Sequence, residues 1–546
     1  MIQALAPYLA CTAAVAAYNF FFLRYGFNAT DEGWLLSLGK RIAEGEQPYL
    51  DFYFLKTPLS IYIQAALIEL LGTDYTILVS RIYWTIQMWG LAVAVSLLYR
   101  RQVRPLELAA LLLTTYVISS MLVAFPWYNY DAAFLAALAV LLLSRRRFIT
   151  AGFFAFLAFM AKQNFLLLLP LFFGAIMLSK WLKIGIEVTA GRAIIRTGAG
   201  FGVALSGYLA YLLAIGALDD FFINVFILPP RCSGISTWFA LFQNNHVAFV
   251  ISLPLVLMLL AWFFAKNRSW LIAAMLLAPL VFYIVLIREA YFVYTLVFLN
   301  YAVLILVVLR LYRGREKPVP GTAMDLLPIL IALAVVQYLS GFTYAGILYS
   351  YVGAGVMFPL TYVLLREAGP LPLRRFVPAG ILLVILALGS YYKFTYMYRD
   401  DVRRNLTAEF ESGRLRGIKS TPRNVRQISA MLQATDQYSK PGDFILAYPD
   451  FPVLYFLTDR KNATRIGWYY QTGFTAEMMR EAVEHLEENR PRIVYIQTFE
   501  EGDYRRAGER LSFGEAGRYY PLDRHVTENY LPADTIGDIF LFVPEE

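Results

Sequence analysis

Residues 24–76 read RYGFNATDEGWLLSLGKRIAEGEQPYLDFYFLKTPLSIYIQAALIELLGTDYT, and the place of this stretch between its neighbours decides the fold. An apolar run, Ala4 to Leu23, precedes it and another, Val79 to Leu98, follows it; each is near the ~20 residues an α-helix needs to cross a bilayer. Comparable runs continue at Leu106 to Val123, Asp131 to Ser144, Ile149 to Ala161, Phe165 to Leu178, Thr197 to Leu218, Val247 to Ala265, Trp270 to Ile287, Tyr291 to Leu309, Asp325 to Ser340, Ala345 to Leu365 and Val377 to Tyr392. The composition agrees: 59% of the 546 residues are hydrophobic, 16% are charged and the mean hydropathy is +0.53, more apolar than a water-exposed surface can carry. The expected fold class is an α-helical polytopic membrane protein of about 13 transmembrane helices with a C-terminal soluble α/β domain.

Within the quoted stretch, Thr57 to Gly72 is apolar but short, and whether it crosses the membrane sets the side of every later loop. The positive-inside rule decides. If this segment lies in the interface, 19 basic residues fall in loops on one side, including the clusters at Arg100, Arg145 and Arg310, and eight fall on the other. If it spans, the clusters face outward. It is therefore read as an interfacial helix, with the N-terminus cytoplasmic and the chain after Tyr392 outside the plasma membrane. The N-terminus lacks the basic start and cleavage pattern of a signal peptide, so the first run is expected to remain as a span. Acidic residues run the other way: of sixteen before Tyr392, seven lie in the first outer loop.

The net charge of +8 divides unevenly. Lys and Arg outnumber Asp and Glu 27 to 16 up to Tyr392, and the ratio is 21 to 24 beyond it, so the basic excess is a topology signal and no nucleic-acid partner is implied. Cys11 and Cys232 cannot build a disulfide framework or a zinc site, and His246, His485 and His525 exclude a His-rich metal centre. The expected domains are residues 1–392, a membrane domain whose first outer loop, 24–79, carries the chemistry, and 393–546, an extracytoplasmic domain. In the latter the pattern predicts helices at Asn424–Tyr438, Phe451–Thr458, Thr475–Asn489 and Tyr504–Gly514, and strands at Asp443–Ala447, Arg492–Gln497 and Asp538–Val543. It has no phosphate loop, nucleophile elbow or zinc spacing.

Asp31 and Glu32 follow the first span directly, placing two carboxylates at the lipid interface. Trp34, Leu35, Leu38 and Ile42 then make one apolar face at helical spacing, which predicts a helix lying on the membrane and holding Asp31 at a fixed height. Asp51 and Lys56 sit in the aromatic-rich bend PYLDFYFLKTPL; a lysine at that depth suits a phosphate. Asp131, in FPWYNYD, is a candidate to orient a substrate, with Trp127, Tyr128 and Tyr130 as stacking faces or as part of the interfacial aromatic belt. Arg288, in LIREAYF, is a further candidate for a substrate contact.

These motifs carry a resemblance. DEG after the first span, G-x-x-PY-x-DF, and F-x-K-x-P before an apolar stretch resemble the first external loop of GT-C glycosyltransferases. Within them the loop is most similar to the bacterial relatives of protein O-mannosyltransferases (glycosyltransferase family 39) and of lipid A aminoarabinose transferases. YPDFPVLYFLTDRKNATR in the outer tail also resembles a family segment. The resemblance implies Asp31 as catalytic base, Lys56 as a lysine of the lipid phosphate, and Lys162 in FMAKQNF as a second phosphate ligand or a snorkelling helix-end cation. Some members place an arginine soon after the acidic pair; Gly33 and Trp34 stand here, which leaves open what makes that phosphate contact. The resemblance leaves a divalent metal open, since one branch of the superfamily holds one at such carboxylates and the mannosyltransferase-like branch generally does not depend on one; no other cofactor is expected.

The expectation is a glycosyltransferase moving a sugar from a polyprenyl-phosphate donor to a lipid, polysaccharide or protein acceptor on the outer face of the membrane, with inversion. Such a donor already has a good leaving group, so the reaction needs a base near the acceptor hydroxyl and a cation near the departing phosphate. The alternatives are a transporter or flippase of lipid-linked glycans, which would place ionisable groups near the midplane of its spans, and a catalytically dead scaffold of the same fold.

Overall fold

The structure, a computed structural model, describes residues 2–72, 74–120, 125–182, 190–233, 351–368, 400–411, 413–449, 451–469, 474–497 and 520–545, with a few positions between 383 and 395. The spans expected at Val247–Ala265, Trp270–Ile287, Tyr291–Leu309 and Asp325–Ser340, the helix expected at Tyr504–Gly514 and the candidate Arg288 lie outside the described residues.

The N-terminal part is helical: α1 (Ile2–Phe20), α2 (Asp31–Ala43), α3 (Leu59–Leu71), α4 (Thr76–Tyr99), α5 (Pro105–Ser119), α6 (Tyr128–Ser144), α7 (Phe148–Ala161), α8 (Leu168–Leu182), α9 (Ala190–Ala214), α10 (Leu218–Phe222) and α11 (Leu228–Ser233), followed later by α12 (Tyr351–Ala368). Among the described residues, α4 and α9 are long and apolar enough to cross a membrane; α3, α5, α6, α7 and α8 are apolar but shorter. α9 leaves Ile195, Val203 and Leu213 exposed, and α4 leaves Ile86, as a lipid-facing surface does. The helices approach closely where side chains are smallest. A Cβ on Gly152 would lie 2.0 Å from the Thr197 carbonyl oxygen, and one on Gly200 would lie 2.0 Å from that of Ile149, so α7 and α9 cross backbone to backbone.

The C-terminal part is an α/β unit with α13 (Pro422–Tyr438), α14 (Val453–Leu457), α15 (Ala476–Asn489) and α16 (Tyr520–Asn529). Its strands are β1 (Ala408–Glu409), β2 (Lys419–Ser420), β3 (Phe444–Tyr448), β4 (Lys461–Asn462), β5 (Ile493–Gln497), β6 (Tyr530–Ile536) and β7 (Ile539–Pro544). The main sheet runs β4-β3-β5-β7-β6, parallel across β4, β3 and β5 and antiparallel across β7 and β6. Successive side chains alternate between its faces. Ile445, Ala447, Ile493 and Tyr495 pack with Ile428 and Met431 of α13, while Leu446, Tyr448 and Val494 pack with Met478 and Leu486 of α15 and with Leu522 and Val526 of α16. α13 starts two residues earlier than its sequence pattern predicts because Thr421 accepts from Asn424 N at 3.1 Å and Pro422 fits the first helical turn.

Neither face of the sheet is closed by the tail alone. Phe27, Leu36 and Ile77 join the core under α13, and Leu228 and Cys232 join the other. Backbone bonds stitch the parts: Lys419 N donates to Arg24 O at 2.6 Å, Gly26 N to Lys419 O at 2.9 Å, Tyr53 N to Arg465 O at 3.0 Å and Val453 N to Ala29 O at 3.3 Å. The division expected at residue 392 falls where only scattered positions are described.

α2 is packed between protein elements. A Cβ on Gly33 would sit 2.4 Å from Val453 Cβ of α14, and one on Gly39 would sit 2.7 Å from Gln64 Cβ of α3. Leu35 and Leu38 enter the helical core while Leu36 enters the core of the α/β unit. Part of the apolar face that the sequence assigns to the membrane is thus in contact with protein. α3 itself, at 13 residues, rises about 20 Å, short of the ~30 Å hydrocarbon core.

Candidate functional site

Two lysines far apart in sequence meet over one tyrosine. Lys56 Nζ lies 4.5 Å from the ring centroid of Tyr128, and Lys162 Nζ lies 5.5 Å from the same centroid. The chain reaches this arrangement through local bonds that clamp residues 55–57 against the end of α7. Thr57 Oγ1 donates to Phe159 O at 2.7 Å, Gln163 Nε2 donates to Leu55 O at 3.1 Å, and Tyr49 Oη donates to Lys56 O at 2.8 Å. Lys162 occupies the cap position that ends α7, where a cation meets the negative end of the helix dipole.

Burial pulls the Lys56 ammonium down from its usual 10.5 to about 8. Lys162 is held well below the ordinary lysine value, first by burial and then by the charge of Lys56. Among the described residues no carboxylate pairs with Lys56. Lys162 donates to Asn129 Oδ1 at 2.7 Å, which leaves Asn129 Nδ2 buried with no acceptor among the described residues; Trp127 Nε1 is in the same position. Trp127, Tyr128 and Asn129 open α6, so two ammonium groups, two orphan N–H donors and a helix N-terminus gather in one place. A donor set of this kind is built for an anion.

An aromatic track leads from here to Asp31. Trp127 stacks on Tyr128 with centroids 4.5 Å apart, and Trp34 lies 6.0 Å from Trp127, 5.6 Å from Phe54 and 5.7 Å from Trp468 of the α/β unit. Asp31 is the first residue of α2, is buried, and stands three residues before Trp34, on the same helical face.

The other candidates are held by the protein itself. Glu32 receives Arg81 Nε at 2.8 Å on one oxygen and Arg81 Nη2 at 2.7 Å on the other; Arg81 also donates to the carbonyls of Leu23, Tyr25 and Gly26. This buried fork fixes the turn into α2, so Glu32 acts on the position of its neighbour. Asp51 accepts from Gln47 N at 2.6 Å and so closes its own turn. Asp131 accepts from Ser60 Oγ at 2.6 Å, from Tyr83 Oη at 3.3 Å and from Gln87 Nε2, tying α3 and α4 to α6. The structure thus brings Lys56 and Lys162 together over Tyr128 and sets Asp31 at the start of the helix that carries Trp34, while Glu32, Asp51 and Asp131 are held by the partners just named; Asp31, too, has an interaction within the protein. Among the described residues no three His, Cys, Asp or Glu side chains gather as a metal cluster.

Sequence reasoning missed Arg81 and Lys393. Arg81 lies inside an apolar run, itself a flag for a buried charge with a job; Lys393 lies just past one and carries no such mark. Lys393 is buried, donates to Ser120 O and lies 4.9 Å from the Trp84 ring.

No protein-family model matches the chain, and no curated protein does. Among solved structures the chain is similar to the crystal structure of ArnT from Cupriavidus metallidurans in the apo state, with 12% sequence identity, a TM-score of 0.47, and 99% of this chain and 98% of that one covered.

Proposed function

We propose that the protein is a membrane glycosyltransferase that moves a sugar from a polyprenyl phosphate to an acceptor hydroxyl on the outer face of the membrane. The observation that carries this reading is the meeting of Lys56 and Lys162 over Tyr128, at the end of an aromatic track that starts beside Asp31. The lysines, with Trp127 Nε1 and Asn129 Nδ2, take the phosphate oxygens. Asp31 takes the proton of the acceptor hydroxyl while its oxygen attacks the anomeric carbon. The bond from that carbon to the phosphate oxygen breaks, and its electron pair leaves on the polyprenyl phosphate, whose growing negative charge the ammonium groups stabilise. Direct displacement inverts the anomeric centre. The Arg81–Glu32 fork positions Asp31 without touching substrate.

Asp31→Asn tests the reading. The amide cannot accept the proton, so transfer in cells, measured as the envelope glycan profile by mass spectrometry, is expected to fall by about 10²–10⁴-fold while the purified variant keeps its elution profile and its bound lipid. An unchanged glycan profile from a folded variant would overturn it.

A further inference from the structure

Between residues 27–30 and the α/β unit lies a cavity of about 360 Å³, within the size range of small-molecule sites. Phe27 and Phe451 give it apolar walls, and Thr30, Asn424, Gln427, Gln497 and Asp538 give it polar ones, with the Arg423 side chain at its exposed side. Unlike the lysine site, its buried wall presents acceptors. The Asp538 carboxylate accepts from Gln427 Nε2 at 2.6 Å on one oxygen and from Gln497 Nε2 at 3.0 Å on the other. That pairing fixes the Gln497 amide so that its carbonyl oxygen is buried with no donor among the described residues. A buried acceptor left unpaired costs about 1–3 kcal/mol, a cost relieved when a ligand brings an O–H or N–H. An anion has none to bring and would face the Asp538 carboxylate. Hydroxyl groups on a ring with apolar C–H faces satisfy both kinds of wall, the carbonyl and carboxylate by donating and the phenyl rings by stacking.

We infer that this cavity seats the acceptor, and that the acceptor is a polyhydroxylated ring, a sugar residue, at this point. The inference rests on the reading of Asp31 as base: Thr30 in the cavity wall is the residue before Asp31, whereas Trp34, three residues after it, leads through Trp127 to Tyr128 and the lysines. The acceptor hydroxyl then reaches Asp31 from the α/β side and the donor phosphate from the Tyr128 side, as displacement from opposite faces requires. Arg423 stands exposed at the rim.

The test is saturation-transfer NMR on the full chain in detergent, with methyl β-D-glucopyranoside and methyl α-D-mannopyranoside as probes and cyclohexylmethanol as an apolar ring of like size. At least one glycoside is expected to bind, cyclohexylmethanol to bind at least tenfold more weakly, and Gln497→Leu and Gln427→Leu each to weaken the glycoside at least tenfold. Two variants are used so that either can be read if the other does not fold. Polyprenyl phosphate co-purifying with both is expected at the wild-type level, because neither touches the lysines. No glycoside binding, equal binding of cyclohexylmethanol, unchanged titration of the variants, or loss of polyprenyl phosphate with glycoside binding would each overturn the inference. A wild-type protein that carries no polyprenyl phosphate would strike the donor reading instead and leave the glycoside titration standing.

Discussion

Two buried groups of charge flank α2, and they are built on opposite plans. At Arg81 and Glu32 the charge has its opposite: two guanidinium nitrogens meet two carboxylate oxygens, and backbone carbonyls take up other N–H groups of the guanidinium. At Lys56 and Lys162 like meets like, with a tyrosine ring and an amide oxygen in attendance. A matched buried pair holds a structure together. A like-charged pair weakens it, and under the proposed function a bound phosphate would offset that cost, so the contrast marks the two groups for different tests.

The contrast can be broken first at Arg81. Arg81→Leu leaves Glu32 buried without its partner, a loss of about 3–5 kcal/mol, and folded protein in size-exclusion profiles is expected to drop steeply. Removing both charges in Glu32→Leu/Arg81→Leu should recover much of it; a single variant as stable as the wild type would mean the fork is not structural. Lys56→Ala should behave in the opposite way: the protein stays as stable or gains stability in thermal melts, while co-purifying polyprenyl-phosphate sugar, measured by lipid mass spectrometry, falls by about tenfold or more. Loss of stability with lipid retained would place Lys56 in the scaffold.

The smallest effect is the most specific. Because Lys56 has a folded value near 8 against 10.5 when free, both states carry its charge below pH 8 and the burial cost is fully present there. As pH rises from about 8 towards 10.5 the folded state loses the proton first, the unfolded state holds more protons, and stability attributable to this lysine rises. Binding of a phosphate needs the charged form, so retention of the donor should fall over the same window. Opposite slopes for melting temperature and lipid retention, both flattened in Lys56→Ala, are expected; parallel slopes would contradict an anion site.

The chain made much of this legible. Asp31 and Lys56 stand out by residue type and by depth relative to apolar runs, Lys162 enters through the family resemblance, and the strands at Phe444–Tyr448 and Ile493–Gln497 follow from short β-branched and aromatic runs between turn signals. Glu32, Asp51 and Asp131 also stand as candidates in sequence. Their partners are visible only in the structure: Arg81 for Glu32, the backbone of Gln47 for Asp51, and Ser60 with Gln87 for Asp131, at 49, 4, 71 and 44 positions. Apart from the Gln47 turn, no local pattern encodes such pairs. The apolar face of α2 is a like case: amphipathic spacing records that a face is buried and not what buries it, and the packing against α3 and α14 is seen only in the structure.

Hydropathy, charge asymmetry and motif spacing in the sequence therefore determined a helical membrane class, its expected orientation and the three residues proposed for chemistry, because those signals depend on order along the chain. The tertiary structure decided which partners hold Glu32 and Asp131, that two lysines share one tyrosine, that the α/β unit completes its cores with Phe27, Leu36 and Ile77 on one side and Leu228 and Cys232 on the other, and that a cavity opens beside Thr30. Burial and pairing are properties of what meets in space, and each of these depends on contacts made across tens to hundreds of residues.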